Sequence, residues 1–334
     1  MAPAGQRSAR SWRDLLDAYA QPRLDRSLAD LATSIVPYLA LMAAMFVLLP
    51  VWGPLVLLLV VPAAGFLLRS FIVFHDCTHG SFMRSRRANE VLGRLAGLLV
   101  WMPYRCWQHE HAVHHATAGN LDRRGIGDIT TLTVAEYNAL PGWRRLGYRI
   151  FRNPVVMFGL GWLLVIVLKP RFVPPGSSRR VRNSVLCTDA AVAVLVAVLC
   201  LAVGWRDYLI VQGLVFLVTG AVGIWLFFVQ HQFEDTYWQS QGDWRYEDAA
   251  LEGSSYLKLP AVLRFFTGNI GFHHVHHLSV AIPNYNLPAA HEQTEGLAEV
   301  PELTLPDALR APRLKLWDEQ RRRLVTFADA RTSA

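Results

Sequence analysis

The chain has 334 residues, of which 52% are hydrophobic and 18% charged, and its 33 Lys and Arg against 26 Asp and Glu give a net charge of +7. A soluble domain of this length fills its core with fewer apolar residues, so the balance points to membrane insertion. The basic residues flank apolar runs and form no aromatic-interleaved stripe, which argues against nucleic acid and suits anionic headgroups or an acidic protein partner.

The first thirty residues are polar and carry Arg7, Arg10, Arg13, Arg23 and Arg26. They read as a cytoplasmic leader and not as a cleavable signal, because the first apolar run after them is long enough to span. A crossing helix needs about 20 apolar residues. Leu31 to Leu68 holds two, broken at the uncharged Pro50-Val51-Trp52-Gly53-Pro54, and the second runs on through Phe71-Ile72-Val73-Phe74 to deliver His75. A second pair, Val185–Val203 and Tyr208–Val229, is joined by Gly204-Trp205-Arg206-Asp207 and delivers His231. The shorter runs Val91–Trp101 and Pro154–Leu168 read as interfacial or half-buried helices. After Ala250 the chain turns polar, punctuated by Pro283, Pro288, Pro301 and Pro306, as a cap over one face.

Basic residues crowd the leader, Arg84–Arg87 and the stretch from Lys169 through Arg179, Arg180 and Arg182, so the positive-inside rule places both termini and the histidine clusters on the cytoplasmic side. The expected fold is therefore all-α and integral to a membrane of the bacterial inner or plasma type. It has four transmembrane helices in two hairpins, interfacial helices and a cytoplasmic cap. One domain covers the chain: leader 1–30, catalytic membrane region 31–295 and C-terminal tail 296–334. The cysteines Cys77, Cys106, Cys187 and Cys200 form no CxxC pair and read as apolar filler, with Cys77 close to the first histidine cluster.

Ten of the twelve histidines fall in three short clusters: His75 and His79; His109, His111, His114 and His115; His273, His274, His276 and His277. Histidine is the commonest metal ligand. On a helix, His75 and His79 share a face, and both HxxHH motifs place three imidazoles on about one turn. Eight convergent imidazoles are too many for one tetrahedral zinc and enough for two ions with open positions. Imidazole without thiolate suits iron, copper, zinc or nickel, with iron favoured if the reaction uses dioxygen on a lipid. His109 and His274 fall outside the ligand spacing, and His291 reads as structural.

The series, together with His75-Asp-Cys-Thr-His-Gly-Ser-Phe82, His111-Ala-Val-His-His-Ala-Thr117, His231-Gln-Phe-Glu-Asp235, Gly271-Phe-His-His-Val-His-His-Leu278 and Ile282-Pro-Asn-Tyr-Asn-Leu287, resembles the integral-membrane fatty acid desaturases, closest to the acyl-lipid omega-6 or delta-12 branch. The resemblance covers roughly residues 30 to 295. It implies a non-haem di-iron centre, dioxygen as co-substrate, and removal of two hydrogens from an acyl chain. The iron ligands it implies are His75, His79, His111, His114, His115, His273, His276 and His277, with His231 after the fourth span completing the set. No catalytic residue beyond these ligands and no organic cofactor is expected. No fused haem or flavin domain is expected, and the resemblance calls for an external electron donor, a ferredoxin-like carrier, with membrane acyl lipids as substrate.

Asp76, Glu110, Asp128, Glu234 and Asp235 are candidates to accept the second N–H of ligating imidazoles. Asn269 is a candidate either to hold a metal-bound water or to cap a helix. Trp101, Tyr104, Trp107 and Phe272 would line an acyl channel or form an interfacial belt. Two other readings stand beside the desaturase: a membrane di-iron hydroxylase or carotenoid ketolase or hydroxylase, and a membrane protein that binds or transports metal or haem.

Overall fold

The computed structural model describes residues 11–298, 300 and 302–332; the leader arginines Arg7 and Arg10 and Pro301 of the cap lie outside them. Helix α1 (Trp12–Leu16) is capped by Ser11. Helix α2 (Leu24–Trp52) follows, and Gly53 ends it with φ +54°, a conformation that favours glycine. After a 3₁₀ stretch, Gly53–Leu59, α3 (Val60–His79) returns along α2. Tyr38, Met42 and Met45 pack with Val60, Ala63 and Leu67 in one core, and Asp30 near the start of α2 pairs with Arg69 of α3. Helix α3 stops at Gly80, whose left-handed conformation lets its N–H reach back to Asp76 and Cys77.

The next helices are α4 (Arg86–Leu99), capped by Ser85, and α5 (Tyr104–Thr117), entered through Pro103. Strand β1 (Leu132–Thr133) precedes α6 (Val134–Ala139) and α7 (Gly142–Phe151). Two π-helical runs, Val155–Leu160 and Leu163–Leu168, lead into α8 (Arg179–Val203), and Gly204 turns it into α9 (Trp205–His231). Beyond α9 lie short elements: α10 (Tyr246–Leu251), β2 (Tyr256–Leu257), α11 (Ala261–Phe266), α12 (His273–Leu278) and α13 (Leu287–Gln293). The chain ends with β3 (Glu302–Leu303), α14 (Leu305–Arg310), β4 (Leu316–Asp318), β5 (Arg323–Val325) and α15 (Asp329–Thr332).

The architecture is mostly helical, with a correction to the all-α expectation. Among the described residues, two small sheets tie the tail down: β1 runs parallel to β4, which pairs antiparallel with β5, and β2 runs parallel to β3. Among the described residues, three helical stretches are long and apolar enough to cross a membrane: Leu24–His79, Arg179–Val203 and Trp205–His231. The first is 56 residues long, about 84 Å if straight and far beyond a bilayer core of about 30 Å, but it is folded back on itself. Helix α7 with Val155–Arg171, bent by 62°, counts as a further span only if taken together. The outward residues of these stretches are apolar, among them Val47, Leu58, Val61, Val194 and Leu201, all more than half exposed.

Candidate metal centre

Four helix segments converge on one place. The last turn of α3 brings His75 and His79, and α5 brings His111, His114 and His115. The C-terminal end of α9 brings His231, and α12 brings His273, His276 and His277. All nine fall into two groups, within each of which the potential ligand atoms lie within 4.8 Å of one another: His75, His79, His111, His115 and His276, and His114, His231, His273 and His277. Helical geometry divides the two HxxHH motifs. Neighbouring helical positions point about 100° apart, whereas i and i+4 share a face. His111 and His115 therefore face the first group while His114 turns to the second. His273 and His277 face the second group while His276 turns to the first.

The Nε2 atoms face one another at short range. Within the second group, His114 and His231 are 3.1 Å apart, His231 and His273 2.9 Å, and His273 and His277 3.1 Å. Within the first, His111 and His115 are 3.1 Å apart and His115 and His276 3.0 Å. The Nδ1 atoms show what these contacts are. His114 Nδ1 lies 2.5 Å from a carboxylate oxygen of Asp128, and His231 Nδ1 lies 3.0 Å from the Gly253 carbonyl oxygen. A neutral imidazole that donates from Nδ1 has only a lone pair at Nε2. The Nε2 atoms of His114 and His231 then have no proton to share and call for a cation between them. Nitrogens about 2.1 Å from a first-row metal are about 3.0 Å apart when mutually at right angles and about 3.4 Å apart when tetrahedral. The observed separations fit the right-angled arrangement of a higher coordination number. His79 Nε2 is buried with no hydrogen-bond partner among the described residues, as a ligand atom would be.

Burial, reinforced by neighbouring imidazoles, pushes His111, His115, His273, His276 and His277 well below the usual histidine pKa. These five imidazoles are thus neutral at physiological pH, the form that binds metal.

Beside the groups lies a cavity of about 360 Å³. His75, His111 and His273 form its head; Leu67, Phe71, Val100, Phe216 and Leu226 are among its mostly apolar walls. On α9 the lining runs from Phe216 to Gln230, about 21 Å of helix. Of the four aromatics expected along a channel, Trp107 lines it and stacks on His111 at 4.2 Å. The other three have different places. Trp101 packs edge-on against Phe216, Tyr104 donates to the Cys77 carbonyl, and Phe272 stacks on Tyr256 in the core of the cap.

Of the five acidic candidates, Asp76 and Asp128 contact imidazole Nδ1 atoms. Glu110 pairs with Lys169 and Glu234 with Arg323, while Asp235 is exposed. His109 is exposed and in neither group, and buried His274 meets His291 at 3.0 Å. Asn269 caps nothing with its side chain; at φ +55° it donates to the Asn284 carbonyl. Sequence reasoning missed the Gly253 carbonyl, which carries no side-chain signal. It also missed Asp30, Arg69 and Asn284. The first two were visible as charges at the edge of and inside an apolar stretch.

A centre of this kind, carried on apolar helices and opening on an apolar cavity, suits an oxidoreductase acting on a hydrophobic chain. The fatty acid desaturase family model matches residues 49–305. A fatty acid desaturase of Bacillus subtilis is 47% identical over 310 residues, 93% of this chain and 88% of that protein. An sn-1 oleoyl-lipid 12-desaturase of Synechocystis sp. is 29% identical over 66% of this chain and 63% of its own length. An sn-1 acyl-lipid omega-3 desaturase (ferredoxin) of Nostoc sp. is 29% identical over 66% and 62%. The alignments thus span a little under two thirds of these last two relatives. The chain belongs to the fatty acid desaturase family.

Proposed function

We propose that the chain is an acyl-lipid desaturase that introduces a double bond at a pair of iron ions, one in each imidazole group. The observation that carries this reading is the facing Nε2 pair of His114 and His231, both with Nδ1 engaged elsewhere. The ligand set is His75, His79, His111, His115 and His276 for one ion and His114, His231, His273 and His277 for the other. When bound, the irons would supply the activation of dioxygen, which is reduced to two waters as the acyl chain gives up two hydrogens, a carrier gives up two electrons and the solvent gives up two protons.

The residues of the chain do the rest. The cavity walls hold an acyl tail extended toward Phe216, with His75, His111 and His273 beside the methylenes that react. The apolar lining keeps water away, which protects the reaction from side chemistry. Asp128 and the Gly253 carbonyl hold the His114 and His231 rings in the tautomer that exposes Nε2.

The α2–α3 and α8–α9 pairs act as two hairpins crossing the bilayer four times, with Gly53 and Gly204 at the far turns. The imidazoles, both termini and the basic residues Arg84, Arg86, Arg87, Arg179, Arg180 and Arg182 lie on the cytoplasmic face, under the short elements that follow α9. An acidic, ferredoxin-like carrier supplies electrons from that side. Expression in a host that lacks the product, followed by gas chromatography with double-bond localisation, tests the reading. A new unsaturated acyl species is expected; hydroxylated lipid, altered carotenoid or an unchanged profile overturns it.

A further inference from the structure

One buried polar chain runs from the first imidazole group into the α2–α3 pair. His75 Nδ1 lies 3.0 Å from Asp76 Oδ1. The other oxygen of Asp76 accepts from the Asn284 backbone N–H at 2.7 Å and from its side-chain amide at 3.0 Å. The same amide donates to Asp30 at 2.8 Å, and Asp30 pairs through its other oxygen with Arg69. The second arm of the Arg69 guanidinium donates to the Phe265 carbonyl. His75, Asp76, Asp30 and Asn284 are all at most 5% exposed.

The chemistry of the chain sets its order. It holds one guanidinium for two carboxyl groups, and Arg69 is committed to Asp30. Among the described residues Asp76 therefore has no Lys or Arg partner, and it turns its other oxygen to the His75 ring. Among the described residues, Asn284 bridges the two carboxyl groups, spending its side-chain N–H donors on both. Buried polar groups joined in this way are fixed in place, because a broken link leaves a partner unsatisfied.

We propose that Arg69, Asp30 and Asn284 are positioning residues for the first imidazole group, acting through Asp76 to fix the His75 ring. The first metal site is then complete only when the loop bearing Asn284 has docked on the closed α2–α3 pair. The inference rests on the reading that each group holds a metal ion, and it makes the two sites unequal in what they need.

The test is titration of cobalt(II) into the metal-free full-length protein in detergent, followed by visible absorption and by metal content after desalting. The wild type is expected to take up two ions. Asp30→Ala and Asn284→Ala are each expected to weaken one site by about tenfold to a hundredfold, the usual effect of losing an outer partner of a ligand, and to leave the other unchanged. Asp30→Asn, which still accepts from Asn284, is expected to fall between. Should Asp30→Ala fail to fold, Asn284→Ala and Asp30→Asn carry the test. Two sites of unchanged affinity in the folded variants, or equal weakening of both, overturn the inference. Fewer than two ions on the wild type overturns the two-metal reading itself, and the inference with it.

Discussion

The two imidazole groups have nearly the same first neighbours and very different supports. In the second group, the partner of His114 is Asp128, fourteen residues on, and the partner of His231 is the Gly253 carbonyl, twenty-two residues on. In the first, the partner of His75 is the adjacent Asp76, but Asp76 is held by Asn284, 208 residues away, and Asn284 by Asp30, 254 residues away. The second group is organised by loops that leave its own helices. The chain of contacts behind the first joins the α2–α3 pair to the loop that follows the third histidine motif. The cavity adds to the contrast: it touches His75 and His111 of the first group and only His273 of the second.

The largest expected effects come from the ligands. His114→Ala should abolish product while the protein still inserts and purifies. It removes one of four imidazoles and leaves His231 Nε2 without its neighbour at 3.1 Å. Lipid analysis checks the activity and detergent gel filtration the fold. Substantial residual desaturation would remove His114 from the centre and erase the distinction between the groups. Asp128→Ala should act one step out. It is expected to weaken metal binding at the second group by about tenfold to a hundredfold and leave the first at wild-type affinity, the mirror image of Asn284→Ala. Cobalt(II) titration of both variants sharpens the comparison, and a matching loss at the same site in both would break it.

Much of this centre was legible in the sequence because helical spacing is local. The positions i, i+3 and i+4 determine which imidazoles share a face, and the eight residues chosen by motif, with His231 added from the family resemblance, all lie in the two groups. The division of each HxxHH motif between groups follows from the same 100° rotation, though the sequence does not say where the facing helices lie. The apolar runs were equally legible, since each span is a continuous stretch, but their packing was not. Asp30 and Arg69 are 39 residues apart and meet only because α2 and α3 lie side by side. The short strands of the tail were missed because two or three residues hold no periodicity, and the parallel pairings of β1 with β4 and β2 with β3 are long-range.

A middle-sized effect is expected in the cavity. Gly223 lines it, and a Cβ at this position meets nothing closer than a Leu68 methyl at 3.7 Å. Gly223→Ala should therefore fold and work. Gly223→Leu pushes a branched side chain into the space of the acyl tail. A methylene more or less in an apolar site is worth about 10- to 200-fold in discrimination. Gly223→Leu should cost about that much on long chains and less on short ones, with cobalt(II) binding unchanged at both groups. Equal loss on every chain length would separate the cavity from the substrate.

The smallest effect is expected from a charge that looks important by position and is not. Glu234 follows His231 by three residues, near enough to be taken for a partner of that imidazole. Its carboxylate instead meets Arg323 at 3.0 Å, with both side chains about half exposed. Exposed pairs of this kind are worth at most about 1 kcal/mol, since solvent screens them and ordering two long side chains costs entropy. Arg323→Ala should therefore change unfolding stability by less than about 1 kcal/mol. It should leave both cobalt(II) affinities and the product yield unaltered, because the Gly253 carbonyl, not Glu234, receives the His231 ring N–H. A tenfold fall in metal affinity at the second group would show that this group, too, leans on a distant segment, the β4–β5 turn. The contrast with the first group would then be one of degree.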